Sequence, residues 1–176
     1  MMKHYPISLL VAIGLPLLFA QCNSTTQQKA SQDSTAIAPP PPINTADTNL
    51  VAVLQMDSVV RLSDSLYMVF KVYNPTSDTL RFTQYHTPFE GFINNFLTIT
   101  DDTGQEVLYR GAMAKRVMPP PADTYCEVAP ATSDSIRFSI KRGYAITKPG
   151  RYTIQYNAGH VSGIANGKPI TVQVVE

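Results

Sequence analysis

The chain has 176 residues, 14 basic and 13 acidic side chains, a net charge of +1 and only 15% charged residues. That balance excludes the function classes that depend on a strong overall field, nucleic-acid binding first among them. Fourteen prolines and no tryptophan point to a chain rich in loops and extended segments.

Residues 1–21 read as a signal peptide. Lys3 and His4 supply a short positive start, and Ile7 to Ala20 is an apolar run broken by Gly14 and Pro16, too short to span a bilayer. It ends Leu18-Phe19-Ala20-Gln21-Cys22. The Cys at this place resembles the lipobox of bacterial lipoproteins, which implies that Cys22 is acylated and becomes the mature N-terminus. Ordinary cleavage after Ala20 is the alternative. One acyl chain holds a protein to a membrane only marginally, so a stable anchor takes several, as lipoproteins of this type carry. Residues 22–48 then form a tether, polar and rich in Ser, Thr and Gln before Pro39-Pro40-Pro41-Pro42. Such a composition predicts a flexible coil with a stiff polyproline segment, reaching on the order of 30 Å. The expected address is the cell envelope, at the outer membrane facing periplasm or surface.

From Asn49 to Glu176 the hydrophobic period is two. Leu50 to Met56 predicts a first strand. Leu66, Met68, Phe70 and Val72 predict a stronger second, closed by the Asn74-Pro75 turn. Leu80 and Phe82 mark a third. Leu97 and Ile99 lead into Asp101-Asp102-Thr103-Gly104, a hairpin turn whose partner strand is predicted over Glu106–Tyr109. Tyr125–Val128, Ile136–Ile140, Tyr152–Tyr156 and Ile170–Val174 complete the set. Short strands with turn signals between them and no helical stretch predict an all-β domain. The expected form is an immunoglobulin-like antiparallel β-sandwich of about 7–9 strands.

The motifs that carry chemistry are missing. Beyond the signal segment the only histidines are His86 and His160, each in a loop setting, with no His-Glu-x-x-His and no Gly-x-Ser-x-Gly. No catalytic residue, metal ligand or cofactor site is therefore expected. Asp101, Asp102 and Glu106 lack the spacing of an EF-hand and suit the turn instead. Cys126 reads as a small buried hydrophobe, with a free reactive thiol or an intermolecular disulfide as the sharper alternative. What remains is a candidate interaction surface of Phe89, Phe92, Lys115 and Arg116. Apolar loop side chains either close the end of the sandwich or bind a partner, and Arg110, Lys115 and Arg116 lie beside the adaptable Met113 and Met118.

Thr87-Pro88-Phe89-Glu90-Gly91, Phe96, Tyr109-Arg110-Gly111, Lys115-Arg116, Tyr125, Ala129-Pro130 and Pro149-Gly150-Arg151-Tyr152 follow one another in an order with a parallel elsewhere. It resembles the N-terminal β-sandwich domain of bacterial peptidyl-Lys metalloendopeptidases of the deuterolysin (aspzincin) type. The family's zinc-binding helix belongs to a following domain with no counterpart here, so the resemblance implies an accessory or pro-like module and no inherited peptidase activity. The expected function is a non-catalytic, lipid-anchored, exported protein that binds another protein. Its membrane contact would run through the N-terminal lipid. The alternative is a peptidase inhibitor or trans-acting pro-domain, with Lys115 as a bait residue.

Overall fold

The computed structural model describes residues 49–176. The signal peptide, Cys22 and the tether lie outside the described residues. Among those residues, no helix is long and apolar enough to cross a membrane.

The domain is all-β. In chain order it comprises β1 (Val51–Gln55), β2 (Val59–Arg61), β3 (Tyr67–Tyr73), β4 (Leu80–Thr83), β5 (Leu97–Asp101), β6 (Tyr125–Val128), β7 (Ser133–Ser139), β8 (Gly150–Tyr156) and β9 (Ile170–Val175). Three single 3-10 turns occupy Pro88–Glu90, Ala122–Thr124 and Ile140–Arg142. The strands form three sheets, ordered β1-β3-β7, β2-β9-β8-β5 and β4-β6. All pairings are antiparallel except β2 with β9.

Alternation places the core. On β3, Met68, Phe70 and Val72 are buried; on β8, Tyr152, Ile154 and Tyr156; on β9, Val172 and Val174. These belong to one cluster with Ala52 and Leu54 of β1 and with Leu97 and Ile99 of β5, so the two larger sheets share a core. Phe70 of β3 meets Tyr156 of β8 at a ring separation of 5.1 Å. Each such fully buried side chain contributes roughly 1.5–3 kcal/mol relative to exposure.

The turns follow local chemistry. Asn74 is fully buried and fully bonded: Nδ2 donates to the carbonyls of Asp78 (2.7 Å) and Val128 (2.8 Å), and Oδ1 accepts from the Thr76 amide and hydroxyl. It ties the end of β3 to the end of β6. In the β5 turn, Asp101 Oδ1 accepts from the Thr103 amide, the Thr103 hydroxyl and the Gln105 amide. Those bonds hold its carboxyl below the usual carboxylate range. Gly104, at φ 81°, supplies the left-handed residue the turn needs.

Two expectations are corrected. Glu106–Tyr109 is not a strand. After one bridge from Glu106 to Thr100 the chain leaves β5, and Tyr109 bridges Tyr144 instead. The Ala145 amide bonds the Leu108 carbonyl and the Arg110 amide bonds the Gly143 carbonyl, so this backbone is shared with a distant segment. The second correction is β2, which the sequence pattern does not mark. It is three residues long and exists through parallel pairing with β9, more than 110 positions along the chain.

Candidate functional site

Thr87-Pro88-Phe89-Glu90 builds the first wall of the loop end. Thr87 caps the 3-10 turn, its hydroxyl accepting from the Phe89 amide (3.2 Å) and donating to the Gln84 carbonyl (2.6 Å). Pro88 takes the first position, where a missing N–H costs nothing. This turn presents Glu90 inward, with its side chain 7% exposed. Glu90 is a hub. Oε1 accepts from the His86 amide (2.9 Å) and Asn94 Nδ2 (3.1 Å), and Oε2 accepts from Arg116 Nη2 (2.6 Å). The Arg116 guanidinium also lies 5.1 Å from the centre of the Tyr85 ring. The carboxylate thus fastens residues 86–94 to residue 116.

The two histidines meet. The rings of His86 and His160 stack at 4.4 Å, 10° from parallel. His86 sits at φ 58°, and its carbonyl accepts from the Tyr156 hydroxyl (3.2 Å). That hydroxyl has one proton, so its contact with Ser162 Oγ (2.9 Å) is donated by the serine. Burial pushes the Tyr156 phenol up to about 12. Ser162 is 2% exposed, so it serves as a structural hydroxyl. Parallel stacked imidazoles point their in-plane lone pairs along separate planes, which does not converge them on one ion. Among the described residues, no group of three His, Cys, Asp or Glu is placed to hold a metal.

Burial, the neighbouring His160 and, more weakly, Arg116 hold His86 below its ordinary value of 6.5, against an opposing pull from Glu90. A base whose folded pKa is lowered contributes stability that is complete above 6.5 and is lost as pH falls through the interval between the two values. The urea midpoint is therefore expected to fall between pH 7.5 and 5.5. His86→Asn, whose side chain tolerates the left-handed backbone, is expected to flatten that dependence. An unchanged slope in the variant would assign the effect to other groups.

The interaction residues divide. Phe89 and Phe92 are half-buried and turn their rings onto the core. Phe89 lies 5.2 Å from Phe82, and Phe92 lies 5.6 Å from Phe96 and 5.8 Å from Phe138. A Cβ at Gly143 would overlap the Phe92 ring, so that position needs glycine. The outer edges of both phenylalanines line an open groove of about 460 Å³ with Tyr67, Arg137 and Arg142. Arg116 is committed to Glu90, whereas Lys115 is exposed. Among the described residues Cys126 has no disulfide partner; it is half-buried on β6, where Gln84 Nε2 donates to its sulfur at 3.4 Å.

Sequence reasoning passed over Glu90, although the Thr87-x-x-Glu90 spacing is that of a capping box. It also left Leu108 and Val117 unremarked. Leu108 (67%), Met113 (72%), Val117 (69%) and Met118 (59%) are four of the seven large hydrophobics exposed among the described residues, and all lie within residues 108–118. A scan of protein-family models finds none that matches, and a search of curated proteins finds no match.

Proposed function

We propose that the chain is a non-catalytic, lipid-anchored exported protein whose immunoglobulin-like domain binds another protein through residues 108–118. The observation that carries this reading is the concentration of exposed Leu108, Met113, Val117 and Met118 beside Arg110 and Lys115. Large apolar side chains grouped at a surface are a feature of contact sites, and methionine adapts to varied partners. Strand connectivity supports the fold: β1-β3-β7 corresponds to strands A, B and E of an immunoglobulin-like sandwich, and β9-β8-β5 to G, F and C. The anchor would be Cys22, with the tether giving the domain freedom to meet its partner at the envelope.

The test is affinity capture from envelope extract with the wild-type chain and with a Met113→Ser/Lys115→Ala/Val117→Ser variant. These positions are exposed, so each change is expected to alter stability by less than about 0.5 kcal/mol. Phe89 and Phe92 are poor choices because they also pack the core. A discrete partner recovered by the wild type and lost at least tenfold by the variant is the expected result. Equal recovery would refute the assignment to this segment, and hydrolysis of a peptide or ester panel that a point substitution abolishes would refute the non-catalytic reading.

A second reading is a peptidase inhibitor or trans-acting pro-domain, in line with the resemblance to the N-terminal domain of peptidyl-Lys metalloendopeptidases. What favours it is Lys115, exposed in a loop that is braced by the Ala112 and Ala114 amides. Slowing of a lysine-directed peptidase by the wild type and not by Lys115→Ala would support it. No slowing across metallo- and serine peptidases would remove it.

A further inference from the structure

Strand β7 ends its sheet. The order β1-β3-β7 leaves it paired with β3 alone, along all seven of its residues. Register fixes which peptide groups remain. The Asn74 amide bonds the Thr132 carbonyl and the Ile140 amide bonds the Leu66 carbonyl, one pair beyond each end of this ladder. Antiparallel neighbours exchange bonds at every second pair, so Asp134, Ile136 and Phe138 bond β3. The peptide groups of Ser133, Ser135, Arg137 and Ser139 therefore point away from it. The Ser135 amide donates to Asp134 Oδ1 at 2.7 Å. The Arg137 and Ser139 amides have no partner among the described residues.

The groove of about 460 Å³ runs beside this edge. Ile136, Arg137, Phe138 and Ser139 all line it, with the Pro88–Phe92 turn opposite. A groove over one face of a strand is lined by alternate residues; four consecutive ones place it along the strand's side. Its two halves differ in chemistry. On the core side Phe138 is buried and Ile136 half-buried, beside the outer edges of Phe89 and Phe92. On the solvent side Arg137 is exposed, its guanidinium 3.7 Å from the centre of the Tyr67 ring, and the exposed Arg142 lines the same groove. Among the described residues neither arginine has a salt-bridge partner, and Glu90 in the opposite wall is committed to Arg116.

We infer that β7 binds a partner protein by strand addition, at a second surface apart from residues 108–118. The added segment carries acidic side chains on one face and apolar side chains on the other. Its peptide groups bond those of Arg137 and Ser139. The residue directly opposite Arg137 lies on the solvent side and is acidic. Its two neighbours in sequence lie opposite Ile136 and Phe138, on the core side, and are apolar. A second copy of the chain does not meet this need. With both cores on one side of the joined sheet, the β7 positions that can stand opposite Arg137 are Arg137 itself and Ser133, Ser135 and Ser139, none of them acidic.

The experiment uses the full chain with Cys22→Ala, so that no acyl chain contributes, and a fluorescein-labelled octapeptide of alternating leucine and glutamate. Fluorescence anisotropy is expected to show binding tighter by about tenfold than to the leucine–lysine counterpart. Arg137→Glu, a change at an exposed side chain, is expected to reverse that preference. Hydrogen exchange at the Arg137 and Ser139 amides is expected to slow in the complex, while Ile136 and Phe138, already bonded to β3, change little. The Met113→Ser/Lys115→Ala/Val117→Ser variant is expected to bind the peptide as the wild type does.

Equal binding of the two charge versions, or binding of neither, would overturn strand addition at β7. So would a complex in which exchange at Arg137 and Ser139 is unchanged. Peptide binding lost in the Met113→Ser/Lys115→Ala/Val117→Ser variant would move the contact to residues 108–118. Dimers in sedimentation velocity that protect the Arg137 and Ser139 amides without peptide would give this edge to a second copy, which also overturns it. Envelope capture through residues 108–118 is read separately, so the two surfaces stand or fall on different results.

Discussion

Glu90→Ala is expected to destabilise the domain by about 3 kcal/mol, since it strips one partner from a largely buried, hydrogen-bonded ion pair. The carboxylate accepts from Arg116, from the His86 amide and from Asn94, so its removal orphans three donors at once. Arg116 is 18% exposed and recovers part of its solvation, which keeps the effect at the lower end of the range for buried pairs. Arg116→Ala is expected to cost less, about 1–2 kcal/mol, because Glu90 retains its other two donors. Urea denaturation of both single variants and the double variant measures the coupling. A Glu90→Ala value within about 0.5 kcal/mol of wild type would mean that this ion pair does not fasten the 108–118 segment to the domain.

Phe96→Ala is expected to cost about 3–5 kcal/mol, the range for deleting a fully buried aromatic ring. Phe96 is 0% exposed and stands among Phe92, Phe138 and Tyr144, with ring separations of 5.6, 5.8 and 6.1 Å. Few neighbours can close the void, because Tyr144 is pinned at its hydroxyl, which accepts from the Leu97 amide and donates to Asn95. The loss reaches the surface as well. Phe92 packs on Phe96, and the Phe92 carbonyl holds the Ala112 amide of the exposed 108–118 segment. Faster exchange of the Ala112 amide in a still-folded Phe96→Ala protein is the expected signature. Val59→Ala, at a side chain 59% exposed, is the control and is expected to change stability by less than about 0.5 kcal/mol.

Much of this fold is written in local pattern. Alternation marks β3, β8 and β9 because each has one face on a core, and a strand so placed shows its period to anyone who counts. The Asn74-Pro75 and Asp101–Gly104 turns are legible for a similar reason: the side chains that shape them bond backbone groups within four residues. What was not legible depends on partners far along the chain. Strand β2 has three residues and exists through β9. Residues 106–110 divide their bonds between β5 and positions 143–145, which local periodicity cannot encode. His86 and His160 looked like unrelated loop histidines, and their stacking follows from the docking of two loops 74 positions apart.

The candidate site divides along the same line. Arg110, Lys115, Met113 and Met118 could be selected as basic and adaptable residues in a long crossing. That the crossing is braced through the Ala112 and Ala114 amides depends on the carbonyls of Phe92 and Ile93, and no spacing in the sequence announces it. The two phenylalanines were equally ambiguous. A large ring in a loop has the same sequence signature whether it closes the end of a core or faces a partner, and here the rings pack against Phe82 and Phe96.

Site-specific photo-crosslinking in the envelope tests the central claim most directly, with a photoreactive residue placed at Met113 or, as a control, at the exposed Thr171 of β9. The expected result is a protein adduct of discrete mass from position 113 that position 171 does not give. Identical adducts from the two positions, or lipid adducts alone from position 113, would contradict a protein-binding role for this surface.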